Sequence, residues 1–150
     1  MLIRKGSIED VEAVFDLVLE LARFENAEDK VTNSVTRMKE EGFGPNPAFG
    51  FFVAEVDRKI VGMALYYFSN STWKGRSLYI DDLVVYPGYR RQGIGDQLMQ
   101  KVLEVAREQK CGKVHWQVLD WNKPAIEYYR KIGAEFDGEW INCALAFDRL

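Results

Sequence analysis

The strongest constraint on this chain is the run from Phe49 to Tyr86, where three stretches of aromatic and β-branched residues are separated only by turn signals. Phe49 to Val56 and Ile60 to Phe68 flank Asp57-Arg58-Lys59, which reads as a hairpin turn. Asn70 to Gly75, with Trp73, is a polar loop before a third strand, Ser77 to Tyr86, that Pro87 and Gly88 stop. Such a meander commits the rest of the chain to covering a sheet. Ahead of it, residues 2 to 5 suit a short strand. Ser7 and Asp10 then form a capping-box variant before a helix whose Val11, Val14, Phe15, Val18, Leu21 and Ala22 share one face through about Arg23. Asn33 or Ser34 starts a short second helix through Met38 to Glu41, which Gly42 ends.

Beyond the meander, Ile94, Leu98, Met99, Val102, Leu103 and Ala106 fall on one helical face that closes at Lys110 and Gly112. Val114 to Leu119 is a strand. Asn122 caps a further helix with Pro124 in its first turn and Gly133 at its end, and two short strands, around Ala134 to Phe136 and Trp140 to Phe147, finish the chain. The order β, α, α, β, β, β, α, β, α, β, β predicts an α+β (mixed α/β) fold, a mixed sheet flanked by helices. With 150 residues, a single domain over 1–150 is expected.

Lys+Arg 20 against Asp+Glu 23 gives a net charge of −3, so no broad basic surface is available for a nucleic-acid backbone. Cys111, Cys143 and the single His115 make neither a disulfide framework nor a zinc site, which implies no metal and a reduced, cytoplasmic setting. The polar start and the lack of an apolar run of 18 residues argue against a signal peptide or a membrane partner.

Chemistry concentrates where the third strand meets the next helix, in Val84-Val85-Tyr86-Pro87-Gly88-Tyr89-Arg90-Arg91-Gln92-Gly93-Ile94-Gly95-Asp96. Glycines let backbone N–H groups approach an anion, the helix dipole favours negative charge, and Arg90 and Arg91 add cations, so a phosphate group fits here. A tight strand-to-helix turn is the bland alternative. The dinucleotide fingerprint lacks its third glycine near Leu98, and the Walker pattern lacks Gly-Lys-Ser/Thr, which calls for a different phosphate carrier.

Arg90-x-x-Gly93-x-Gly95 after a strand resembles the pyrophosphate loop of the GNAT superfamily of acetyl-CoA-dependent N-acetyltransferases. More narrowly, Glu20-Leu-Ala-Arg-Phe-Glu25, Glu41-Gly-Phe-Gly44, Leu78-Tyr-Ile-Asp-Asp82 and Trp121-Asn-x-Pro124 resemble the spermidine/spermine (diamine) branch. The resemblance implies the GNAT-like acyl-CoA N-acyltransferase fold, acetyl-CoA as cosubstrate, a small amine as acceptor and a homodimer. It implies that the amides of Leu83, Val84 and Val85 hold the pantetheine arm, Val84 polarising the thioester carbonyl, and that Arg90, Arg91, Gln92, Gly93, Ile94, Gly95 and Asp96 hold the pyrophosphate. Asp96 departs from the small residue of that branch, and its charge opposes phosphate even as it suits the helix dipole. Asn122, Lys123, Pro124 and Ala125 fall at the helix start that the branch uses beside the cofactor, and Tyr129 matches its general acid.

A phenol of reference pKa about 10 can protonate a departing thiolate while staying neutral at pH 7, which suits Tyr129. Tyr128 points elsewhere on the helix. A primary amine of reference pKa about 10.4 is neutral in only about one molecule in a thousand or two, so carboxylates must orient it and take its proton. The resemblance puts Phe24, Glu25, Asp81, His115, Trp116 and Gln117 at substrate positions, and Asp137 or Glu139 at a C-terminal acid. Glu28 and Asp29 follow the same helix and read equally as a solvated face. Strand alternation places Asp81 and Asp82 on opposite faces. Asp81 stands where the branch has Glu, so a bridging water completes proton removal. Thialysine or lysine-like acceptors, a non-catalytic acetyl-CoA-binding module and a purely structural domain are the rival readings.

Overall fold

A computed structural model describes residues 1–147, which form two compact units, Met1–Trp116 and the residues from Gln117 onward. The first unit holds a five-stranded sheet in the order β1-β2-β3-β4-β5: β1 Leu2–Lys5, β2 Gly50–Val56, β3 Lys59–Ser71, β4 Gly75–Val85 and β5 Lys113–His115. The first four strands pair antiparallel and β5 joins β4 in parallel. The β2–β3 turn places Asp57 and Arg58 at φ 49° and 64°, the left-handed pair that a two-residue hairpin requires. The expected meander is thus the body of the sheet.

Helices α1 (Val11–Phe24) and α2 (Val35–Phe43) cover one face, where Val11, Val14, Leu17 and Met38 pack with Phe51, Val53, Met63, Leu65 and Val84. Ser34 caps α2 by accepting from the Arg37 N–H at 3.1 Å. Gly42 lies inside that helix, which ends at Phe43 rather than at Gly42. A Cβ on Gly42 would stand 2.5 Å from the Phe49 ring, so close packing, not termination, explains the glycine. Helix α3 (Ile94–Glu108) buries Ile94, Leu98, Met99, Val102 and Ala106. The Leu98 side chain would meet a Cβ on Gly62 at 3.4 Å; Gly62 alternates with Met63, so α3 lies on the sheet face opposite α1 and α2.

Chain entry is fixed by Arg4, whose guanidinium grips buried Asp10 at 2.7 and 2.9 Å and Glu55 at 3.1 Å. The Ser7 N–H donates to Asp10 at 2.8 Å, the reciprocal half of the expected capping box, and a turn of 3-10 helix at Ile8–Asp10 precedes α1.

The second unit contains α4 (Lys123–Lys131), with Asn122 at its N-cap and Pro124 in its first turn. Residues 134–147 contain no strand, against the two expected there. Ile141, Leu145 and Phe147 keep a strand-like alternation but are exposed, and a strand forms only where a neighbour supplies the ladder. The strand expected over Val114 to Leu119 is likewise reduced to Lys113–His115.

Candidate active site

Strand β4 is longer than its partner on one side. Ladder pairing with β5 stops at Tyr79↔His115, whereas pairing with β3 continues to Val85↔Gly62. Among the described strands, the β5-side edge of residues 80–85 therefore has no ladder partner. The Tyr86 N–H donates to the Val61 carbonyl at 2.9 Å, in register with that β3 pairing. Backbone N–H groups alternate in direction along a strand, so the Val84 N–H also faces β3, while those of Leu83 and Val85 face the open edge. On that alternation the Val84 side chain lies in the core and its N–H turns toward β3, with Leu83 and Val85 as the outward donors.

From Val85 the chain turns through Pro87–Tyr89 into the N-terminus of α3. Arg90 Nε donates to the Val85 carbonyl at 3.1 Å, which ties the loop to the end of β4. Arg91 and Gly93 take φ 63° and 79°, left-handed conformations that turn successive amides toward one side. Gly93 is the N-cap, and its φ accounts for the glycine. Gly95 is different: a Cβ there would make only an ordinary contact with Val85 at 4.0 Å. Packing does not ask for glycine at 95, and its bare backbone leaves room for a group to approach. Gln92 is exposed, and Ile94 offers its amide while its side chain is core. Asp96 is exposed in the first turn. The loop has the donors, cations and dipole that a pyrophosphate needs, so the residues present fit an acyl-CoA.

Near the other end of the open edge, acids gather. The register shifts between Leu65 and Tyr66: Leu65 pairs with Asp82 but Tyr66 with Ile80, so Asp81 is an extra residue, a β-bulge. The bulge breaks the alternation that would have separated Asp81 from Asp82. Asp82, opposite Leu65, faces the α1/α2 side, and the charges of both aspartates act on Tyr79. Burial raises the Asp82 carboxyl from 3.8 to about 7, helped by the charges of Asp81 and Glu25. Partial burial raises Glu25, and packing around its base raises Asp81 in the same direction although its side chain still reaches solvent. Glu25 is the C-cap of α1, and adjacent Phe24 lies under the Arg90 guanidinium at 5.6 Å, so the end of α1 meets the phosphate loop.

Tyr79 stacks on Tyr67 with ring centroids 5.2 Å apart and meets His115 edge-on at 4.9 Å. His115 Nε2 lies 3.3 Å from Ser69 Oγ, and burial with the Lys113 charge lowers its pKa, so the ring is neutral at pH 7. Trp116 follows, half-buried. Glu28 and Asp29 are exposed, as a solvated face would be, and Trp73 is exposed at the β3–β4 turn. The alternation argument missed Asp82, Tyr67 and Tyr79; two successive acids in an otherwise apolar strand were the available signal.

In the second unit, Asn122, Lys123, Pro124 and Ala125 form the start of α4, and Tyr129 lies near its end with its ring 5.5 Å from that of Tyr128. Gln117 Nε2 donates to Asn142 Oδ1 at 2.9 Å. Asp137 accepts from the Trp140 indole at 2.7 Å and from the Glu139 N–H at 3.1 Å, which leaves it a turn-forming role. Among the described residues, no group of three or more His, Cys, Asp or Glu is arranged to hold a metal ion, and no helix is long and apolar enough to cross a membrane.

An open strand edge leads here into a helix terminus suited to an anion, and residues 13–134 match the Acetyltransferase (GNAT) family. The chain belongs to that family, whose members use acetyl-CoA, and it is an amine N-acetyltransferase. It is 40% identical over 143 residues to thialysine N-epsilon-acetyltransferase of Bos taurus, covering 90% of this chain and 84% of that protein. Over 139 residues it is 33% identical to spermidine/spermine N(1)-acetyltransferase-like protein 1 of Homo sapiens, covering 88% of this chain and 20% of that one. The fold is shared with a possible acetyltransferase from Clostridium difficile 630, at a TM-score of 0.80 and 19% identity over 97% of this chain and 98% of that one.

Proposed function

We propose that the acceptor is a small cationic amine, a diamine or polyamine, held by Glu25, Asp81 and Asp82, within one acetyltransferase domain over residues 1–150. The observation that carries this reading is the bulge at Asp81, which brings two consecutive carboxylates into one electrostatic group with Glu25 beside the open edge of β4. Carboxylates whose pKa values burial has raised are uncomfortable until a cation arrives, so an ammonium ion restores their charged form.

Acetyl-CoA supplies an acyl group already activated as a thioester. Leu83 and Val85 donate their outward N–H groups to the acyl-pantetheine arm, the first polarising its carbonyl. Arg90, Arg91 and the amides of Gln92 to Asp96 hold the pyrophosphate. Asp81 and Glu25 orient the ammonium, and a water against Asp81 or Asp82 carries its proton away. The branch resemblance, and no placement of the second unit, assigns Tyr129 Oη the return of a proton to the leaving sulfur and gives Asn122 to Ala125 a cofactor-binding role. The branch resemblance supports a homodimer, and the free thiols of Cys111 and Cys143 suit a reducing, cytoplasmic setting.

The 40% identity to a thialysine acetyltransferase favours a second reading, in which the amine is the side chain of a lysine-like amino acid. CoA release with putrescine, spermidine, spermine, thialysine and lysine decides between them. The diamine reading expects the polyamines to lead in kcat/KM and the pair Glu25→Gln with Asp81→Asn to lose at least tenfold. Thialysine in the lead replaces it with the second reading, and a rate indifferent to the double substitution removes the acidic receptor altogether. Tyr129→Phe should lose about a hundredfold or more in kcat while still binding acetyl-CoA.

A further inference from the structure

Beside the acids lies a cavity of about 560 Å³, within the size range of small-molecule sites and formed wholly by the first unit. Its walls are aromatic: Phe43 from the end of α2, Phe49 and Phe51 entering β2, and Tyr66, Tyr67 and Phe68 of β3. Phe51 and Tyr66 are buried, whereas Phe43, Tyr67 and Phe68 are more than a third exposed, so three of the six rings still offer apolar surface. Glycine backbone completes the wall at Gly42, Gly44 and Gly50.

Tyr67 joins this cavity to the acidic group. Its ring stacks on Tyr79 at 5.2 Å, and the charge of Asp81 acts on the hydroxyls of both tyrosines. The charge changes sign along the same path. Glu25, Asp81 and Asp82 lie on the Tyr79 side, whereas the cavity lining contains no carboxylate and one charged residue, Lys5. An ammonium is drawn most strongly to the first region, where three carboxylates gather, and in the second finds Lys5 and no carboxylate in the lining.

We infer that this cavity is the distal acceptor subsite and takes an uncharged alkyl or aryl segment of the amine, so that the reacting ammonium sits at the acids and any second charge must lie beyond the aromatic walls. The inference rests on the amine-acetyltransferase reading and narrows it. Among the diamines and polyamines, those whose second ammonium would fall against Phe43 and Phe49 are the weaker acceptors, and those with a longer apolar stem the stronger.

The test is kcat/KM for n-alkylamines from ethylamine to hexylamine, for phenylalkylamines, and for α,ω-diamines of four to eight methylenes. Each methylene that enters the cavity should raise kcat/KM about two- to fourfold, in both the monoamine and the diamine series. Ala48 also lines the cavity and is exposed, so Ala48→Trp fills it without removing a wall, and Phe43→Ala removes one ring. Both substitutions should flatten the chain-length slope, with melting temperature and acetyl-CoA affinity recorded as controls. A wild-type slope near zero or negative overturns the subsite, as does a slope that both folded variants retain. Absence of acetyl transfer to every amine, despite acetyl-CoA binding, overturns the amine reading itself, an outcome distinct from transfer without chain-length dependence.

Discussion

Asp82 is an aspartate that costs the fold stability at neutral pH, and removing its charge exposes that cost. Folding raises its pKa from 3.8 to about 7, chiefly through burial and secondarily through Asp81 and Glu25. The unfolded chain releases this proton near pH 4 and the folded chain near pH 7, so between those values the folded state holds more protons. Stability therefore falls as pH rises through that window, and the penalty is fully present above it. At about 1.4 kcal/mol per pKa unit the ceiling is about 4 kcal/mol. Solvent reaches the half-buried carboxylate, which reduces the expectation to about 2 kcal/mol.

Asp82→Asn keeps the shape and drops the charge. Urea unfolding of both proteins at pH 3 and pH 8 should give nearly equal stabilities at the lower pH, with the variant ahead by about 2 kcal/mol at the higher. Glu25 and Asp81 are raised in the same sense and remain in both proteins, so the difference between the two isolates Asp82 and its coupling to them. A difference that does not change with pH, or a wild type that gains on the variant as pH rises, would refute the argument.

Two further substitutions test other parts of the molecule. Gly93→Val forces a β-branched side chain into φ 79°, at a cost of about 1–2 kcal/mol, and should weaken acetyl-CoA binding at least tenfold by calorimetry while the domain still folds. Equal collapse of folding and binding would make the loop a turn and nothing more. Arg4→Met leaves buried Asp10 with only Ser7 as a hydrogen-bonding partner, and should cost about 2–3 kcal/mol, or about 5–10 °C in Tm, at pH 7. Arg4 holds the Asp10 carboxyl below its ordinary value, so this stability is present above about pH 4 and is lost as pH falls through the folded pKa; the variant should approach wild type at low pH.

Local rules carried much of the fold. Hairpin residues at 57 and 58, the Ser34 cap and the apolar stripe of α3 each act over a few residues, so the sequence exposes them directly. Two features depend on partners far along the chain. The bulge at Asp81 is set by how β4 registers on β3, some fifteen residues away in sequence, and alternation alone separates two acids that the register brings together. Likewise, nothing in Leu83-Val84-Val85 alone says which N–H groups the neighbouring strand consumes. Residues 134–147 fail for a related reason: their alternation suits a strand, but strand formation waits on a partner edge. Phosphate-loop chemistry was legible because glycine, arginine and a helix start suffice to define it.

Amide exchange at β4 tests the central claim most directly. In a nitrogen–proton correlation spectrum, saturating acetyl-CoA should shift the amide signals of Leu83 and Val85 strongly and slow their hydrogen exchange, with Val84, already bonded to β3, slow to exchange beforehand and little altered. Unchanged signals at Leu83 and Val85 under saturating cofactor, or a newly protected Val84 in their place, would contradict it.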